Sequence, residues 1–205
     1  QEELEMLARK KVKHLYLGIE SGLDDVLKFM KKDHDLAQAY QAIDRLHEAG
    51  LIYDAHIMTG VAGKGRGMEN AEALAQFLNR TNPAHVVNFS MFLHKEVPLY
   101  QDIRQGTFVP ADELETIREE YHLIERIAPE KAGANILYDG FHDFIHVRVR
   151  GHLPGDKEKM LAKLNGIIQE YEGKEPVYSF VQGECPDLEY CDDGKAVWDM
   201  DRKTS

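Results

Sequence analysis

Two short runs of this chain join reactive side chains to glycine-flanked turns. In residues 14–22 (HLYLGIESG) an apolar alternation of Leu15, Leu17 and Ile19 ends in Glu20, Ser21 and Gly22. A carboxylate, a hydroxyl and a flexible backbone therefore follow directly on a strand-like pattern. In βα architectures ligands bind at the C-terminal end of a strand; the plainer reading is a capping Ser beside a solvated Glu. In the second run, residues 53–59 (YDAHIMT) lead into a loop at 60–67 that carries Gly60, Gly63, Gly65 and Gly67 with Lys64 and Arg66. Glycines and cations ahead of a helix could cradle a phosphate. The spacing meets neither GxxxxGK[ST] nor GxGxxG, so a phosphate site and a plain flexible loop both stay open.

Other candidates are weaker. There are ten histidines, and His142 and His146 stand four apart. In a strand that separation is about 13 Å at 3.3 Å per residue, too far for one metal. No HExxH is present, and no metal ligands are assigned. Cys185 and Cys191, with five residues between them, form neither a disulfide framework nor a zinc or cluster motif. Arg148 and Arg150 alternate with apolar residues over 144–150, which either presents cations to an anionic substrate or marks an exposed strand face.

These residues need elements to hold them. Residues 2–11 have an amphipathic helical pattern and precede the first strand, so the chain is expected to begin in mid-fold. Asp24 and Asp25 open a short helix at 23–30, and Asp35 is a natural N-cap for a longer one that Gly50 stops. Strand, helix and strand at 53–59 make a βαβ crossover with parallel strands. Residues 68–79 continue as helix, 85–92 as a third strand, and 112–128 as a long helix with Leu114, Ile117, Tyr121, Ile124 and Ile127 on one side. Residues 133–143 read as loop, 144–150 as strand and 160–171 as helix. The acidic segment from 183 onward is expected to be partly disordered.

Taken in order, HLYLGIESG, LDDVLKFMKKDHDLAQAYQAIDRLHEAG, AHIMTGVAGKG and PLY resemble the second half of a radical S-adenosylmethionine (SAM) enzyme. The resemblance is to the group that includes oxygen-independent coproporphyrinogen oxidase-like and Elp3-like proteins, over roughly residues 12–130. It implies an α/β fold, half of a partial (β/α)6 TIM-like barrel, with a small α+β appendage at 131–182 and a tail at 183–205. It also implies a [4Fe–4S] cluster and SAM, cleaved to a 5′-deoxyadenosyl radical that abstracts hydrogen from substrate. By position, Glu20 and Ser21 would meet the ribose or amino-acid part of SAM. Thr59, Gly60 and Gly63 would lay backbone against adenine, Ile57 would face the ring, and Phe92 and Leu93 would close over it. Lys64 and Gly65 depart from the acidic-then-hydroxyl ending common in relatives. The CxxxCxxC triplet is absent, so the chain alone is expected to be inactive and part of a longer protein.

A formal net charge of −11 opposes general binding of a nucleic-acid backbone. No apolar run is long enough to span a bilayer, and the charged start does not read as a secretory signal, which makes the cytoplasm the default expectation. The substrate, a small molecule or a peptide, is not readable, and an exposed barrel edge would favour self-association. Two further readings remain: a phosphate-binding α/β enzyme using loop 60–67, and a non-catalytic binding module on a barrel scaffold.

Overall fold

The computed structural model describes residues 1–180. Helix α1 (Glu2–Arg9) leads into β1 (His14–Glu20); α2 (Asp24–Phe29) and α3 (Leu36–Glu48) connect it to β2 (Ile52–Thr59). Helix α4 (Gly67–Thr81) carries the chain to β3 (His85–Ser90), and α5 (Leu99–Gln105) with α6 (Glu113–Arg126) to β4 (Ile136–His142). A 3-10 turn (Asp143–Ile145) precedes β5 (Val147–Leu153), and α7 (Lys157–Tyr171) follows. One sheet holds all five strands in the order β1-β2-β3-β4-β5. The first three pairings are parallel and the last is antiparallel.

Strands that neighbour in sequence also neighbour in space, so each right-handed crossover deposits its helix on the same face of the sheet. That face holds the core: Ile19, Tyr53, Ile57, Phe77, Leu78, Ile117, Ile124 and Tyr138 are all essentially inaccessible. Local signals agree with this arrangement. Asp35 accepts from the Gln38 backbone N–H at 2.8 Å while the Gln38 side chain accepts from the Asp35 N–H at 3.0 Å, a complete capping box. Gly50 then turns the chain with φ of +74°.

The expectation of loop at 133–143 is corrected: Ile136–His142 is a fourth parallel strand. Asp139 and Gly140 break its apolar pattern. Gly140 is forced by packing, because a Cβ there would run into the Glu120 carboxyl of α6. The strand expected at 144–150 starts at Val147 and runs antiparallel to β4. Residues Ile136, Val149, Leu153, Met160 and Leu164 join the same core as the first half of the chain. The acidic tail with Cys185 and Cys191 lies outside the described residues.

Candidate functional site on the uncovered sheet face

Pleating sends alternate residues to opposite faces, and the strand register shows which ones share the side away from the helices. Tyr16, Asp54, His85 and Leu137 form one level of that face. Gly18, His56, Val87, Asp139 and Arg150 form the next, and Met58, Phe89, Phe141 and Arg148 the one nearest the C-terminal ends of the parallel strands. Rings cross this face as a connected row. Tyr16 meets His56 edge-on at 5.2 Å, His56 meets Phe89 at 6.1 Å, and Phe89 stacks on Phe141 at 5.4 Å and 17°. The Arg148 guanidinium continues the row 4.7 Å from the Phe141 ring centre. Tyr16 is 52 % exposed although it lies in a strand, because no helix among the described residues covers this side.

Polar groups anchor both ends of the row. At the β1 end, Asp54 is fully buried beneath it and holds His14 Nδ1 at 2.8 Å, while Tyr16 Oη contacts His85 Nδ1 at 3.0 Å. Burial, outweighing the pull of Asp54, keeps the His85 imidazole below its ordinary pKa. At the β5 end, Arg148 forms a two-pronged pair with Asp139 at 2.8 and 2.7 Å, and Arg150 approaches the same carboxylate at 3.6 Å.

Glu20 stands at the mouth of this face. The register slips between Gly18 and Glu20, and the Ser21 N–H donates to the Ile19 carbonyl at 2.7 Å across a three-residue turn centred on Glu20. Glu20 takes φ of +60° there, a strained conformation for a residue with a side chain. The turn folds its carboxylate back over Gly18: a Cβ built on Gly18 would lie 2.6 Å from Glu20 Oε1. Lys32 Nζ donates to the same oxygen at 3.3 Å. The result is a partly exposed carboxylate with one cationic neighbour, open to further donors.

Beneath the strand ends, on the helix side, α6 supplies a second and fully buried polar system. Backbone N–H groups where strands break off have no ladder partner, and side chains must satisfy them. Glu119 accepts from the Gly60 N–H at 2.8 Å and from Asn70 Nδ2 at 2.7 Å; Asn70 Oδ1 accepts from Ser21 Oγ at 2.7 Å and the Gly22 N–H at 3.2 Å. Asn88 accepts from the Thr59 N–H at 3.1 Å and donates to Glu120, which also accepts from Tyr138 Oη at 3.0 Å. His142 lies between Glu113 at 3.1 Å and Glu120 at 3.0 Å. Ser90 and Ser179 donate to the other Glu113 oxygen. Burial pushes the Glu119 carboxyl up to about 7. Burial alone would lower His142, but the Glu120 and Glu113 carboxylates overcome it and raise the imidazole to about 9. Burial would raise Glu113, yet the His142 hydrogen bond and charge hold it below the usual carboxylate range.

The residues expected from sequence divide between these two systems. Glu20 reaches the uncovered face. Ser21 does not: it is fully buried, donates to Asn70 and accepts from the Leu23 N–H at 3.1 Å, while α2 takes Leu23 as its N-cap with no side-chain cap, so Ser21 ties the turn and does not cap the helix. Ile57 points into the helix-side core with no exposure, and pleat parity puts Met58, not Ile57, on the uncovered face. Thr59 is buried with Oγ1 unpartnered. Gly60 and Gly63 take φ of +83° and +79°, and a Cβ at Gly60 would press on Thr116 at 2.8 Å. Phe92 is 56 % exposed, while Leu93 is buried and its N–H donates to the Ser179 carbonyl at 2.7 Å.

Loop 60–67 does not form a phosphate cradle. Five of its N–H groups are spent inside the protein: Gly60 on Glu119, Gly63 on Gly60, Lys64 on Val109, Gly65 on Glu115 and Arg66 on Gly63. Arg66 is itself paired to Asp25 and Glu69, each at 2.8 Å. An open cleft of about 370 Å³ lies beside the loop, lined by Phe29, Val61, Lys64 and Phe108 among others. Sequence reading missed the α6 carboxylates Glu113, Glu119 and Glu120, which look like surface charge in ELETIREEYHLIER. The signal that could have found them is that Glu113 and Glu120 share a helix face with the apolar Ile117 and Ile124.

Comparisons with known proteins agree with this architecture. A family model described as the radical SAM superfamily matches residues 1–78. The chain is 25 % identical over 118 residues to a tRNA uridine(34) acetyltransferase of Methanocaldococcus infernus, a match covering 57 % of this chain and 22 % of that protein. Among solved structures, the archaeal Methanocaldococcus infernus Elp3 with an N-terminal deletion superposes with a TM-score of 0.60 at 18 % identity, over 83 % of this chain and 39 % of that one. The chain thus spans about a fifth of the curated relative's length. The resemblance to radical SAM proteins of the Elp3-like group is borne out, as is the α/β fold with a mostly parallel sheet flanked by helices.

Proposed function

We propose that this chain forms the SAM-facing strands of a radical SAM enzyme's barrel and that Glu20 is the group that grips the cofactor. The observation that carries the reading is the strained turn that lays the Glu20 carboxylate over Gly18 on the uncovered face. Its two oxygens suit vicinal hydroxyls or an ammonium group, both of which SAM offers. Met58 and the Phe89 ring supply an apolar surface on the same side. Gly60 and Gly63 bring backbone close at the next strand end, and Glu119 with Asn70 ties that loop to the β1 turn. Bound SAM, given one electron by a reduced [4Fe–4S] cluster, would release methionine and supply the 5′-deoxyadenosyl radical that abstracts hydrogen in the radical SAM superfamily.

An iron–sulfur cluster does not fit the described residues. No group of three or more His, Cys, Asp or Glu side chains among them could hold a metal ion. No helix among them is long and apolar enough to cross a membrane. The curated relative is named for action on a tRNA uridine. The −11 charge of this chain works against such a polyanion, so we leave the substrate as a small molecule or peptide.

Titration of the 205-residue chain with SAM, followed by calorimetry, tests the reading. A charge-assisted hydrogen bond contributes about 1.5–3 kcal/mol, so Glu20→Gln should weaken binding roughly ten- to hundredfold. Equal affinity of the variant, or no binding at millimolar SAM, would overturn it.

A further inference from the structure

The far side of the sheet ends on β5, which among the described residues pairs only with β4. Its outer edge has three capped backbone groups: Lys163 Nζ donates to the Arg148 carbonyl at 2.7 Å, the His152 N–H donates to the Asp156 carboxylate at 2.8 Å, and the His152 carbonyl accepts from the Asp156 N–H at 2.6 Å. These groups point away from β4. By the alternation of an antiparallel ladder the Arg150 N–H and carbonyl point the same way, and no strand among the described residues receives them. Beside this edge runs a groove of about 460 Å³ between β5 and α7, lined by Arg148, Arg150, Lys159 and Lys163 with Val149 and Met160 at its floor. The two arginines share one carboxylate, Asp139. Four cations against two carboxylates, Asp139 and Asp156, make this edge locally basic on a chain whose formal net charge is −11.

We propose that the β5 edge is a binding site for an extended acidic peptide, which adds to the sheet as a further strand. Backbone bonding to Arg150 would set the register, acidic side chains on one face of the peptide would meet Arg148 and Arg150, and apolar ones on the other would meet Val149 and Met160. The same cations reject a second copy of this edge, since pairing β5 with β5 brings arginines against arginines. A nucleic acid would use the charge and leave the strand-edge hydrogen bonds unused, so the Arg150 backbone, which no strand among the described residues meets, favours a peptide. The site lies at the opposite sheet edge from Glu20 and is independent of the cofactor reading.

Fluorescence anisotropy of a labelled peptide alternating Asp or Glu with Leu or Tyr, titrated with the 205-residue chain, tests the proposal. Saturable binding is expected, weakened about tenfold or more by Lys159→Glu with Lys163→Glu, two exposed positions whose change leaves the core intact. A peptide N-methylated at alternate residues, which keeps the charge and loses the edge donors, should lose binding. Equal binding of the N-methylated peptide, equal binding of a composition-matched scramble, or tighter binding of a single-stranded oligonucleotide of the same length would overturn it.

Discussion

The two faces of the sheet are built on opposite rules. On the helix side the α6 network is buried and mutually satisfied: Glu113, Glu119, Glu120, Asn70, Asn88 and His142 have at most 1 % exposure and bond to one another or to strand-end N–H groups. On the other side Tyr16, His56, Phe89, Phe141 and Arg148 touch one another in a row and still reach solvent. A buried charge must be paired to be tolerated, so the helix side is rigid by necessity. The uncovered side keeps its groups available. Loops that carry Glu20 and Gly60 are therefore fixed from below by one face and put to use on the other.

The comparison is broken most directly by removing one partner of the buried pair. Glu120→Leu leaves His142 charged and Asn88 and Tyr138 short of an acceptor, and about 3–5 kcal/mol of stability should be lost in urea denaturation. A cost near that of a surface change would mean the network is not what holds the strand ends.

Alkaline pH probes the same network without mutation. The folded His142 value of about 9 lies above the ordinary 6.5, so its contribution is fully present below 6.5 and is lost as pH rises through 9. Glu119, raised to about 7, acts in the same direction at lower pH: its contribution is present below the ordinary 4.5 and lost as pH rises through 7. Between pH 7 and 9 the urea midpoint should fall, and His142→Gln should flatten that fall. A midpoint unchanged over this range in the parent chain would contradict an imidazolium at His142.

Ser21→Ala separates a turn-tying role from a ligand role. It removes the bond to Asn70 and the acceptor of the Leu23 N–H and should cost about 1–3 kcal/mol while SAM affinity stays within about twofold. The smallest effect is expected on the uncovered face, where His56→Ala should change stability by about 1 kcal/mol or less, because the side chain is only partly buried. A loss as large as that of Glu120→Leu would show that the ring row is core and not an available surface.

Much of the frame was legible before any coordinates. Strands β1, β2 and β3, the Asp35 cap and the Gly50 stop follow from alternation, capping chemistry and positive-φ glycine, all of which are local. Glu20 was legible as well, because a carboxylate after an apolar alternation and before Ser21 and Gly22 is a local pattern. The fourth strand was not. Its Asp139 serves Arg148 across the sheet and its Gly140 makes room for Glu120 from α6, so neither residue looks like a strand residue until those partners are in place.

What the chain determines by itself is the order of strands and helices and the chemistry at each strand end, since those depend on neighbours a few residues away. Which side each residue faces was decided only by the tertiary structure. The bulge between Gly18 and Glu20 resets the parity of β1, burial of Ile57 hands the uncovered position to Met58, and carboxylates that look solvated along α6 become the buried support of two loops. One residue of register moves a side chain from core to surface, and that register is set by contacts between segments far apart in the sequence.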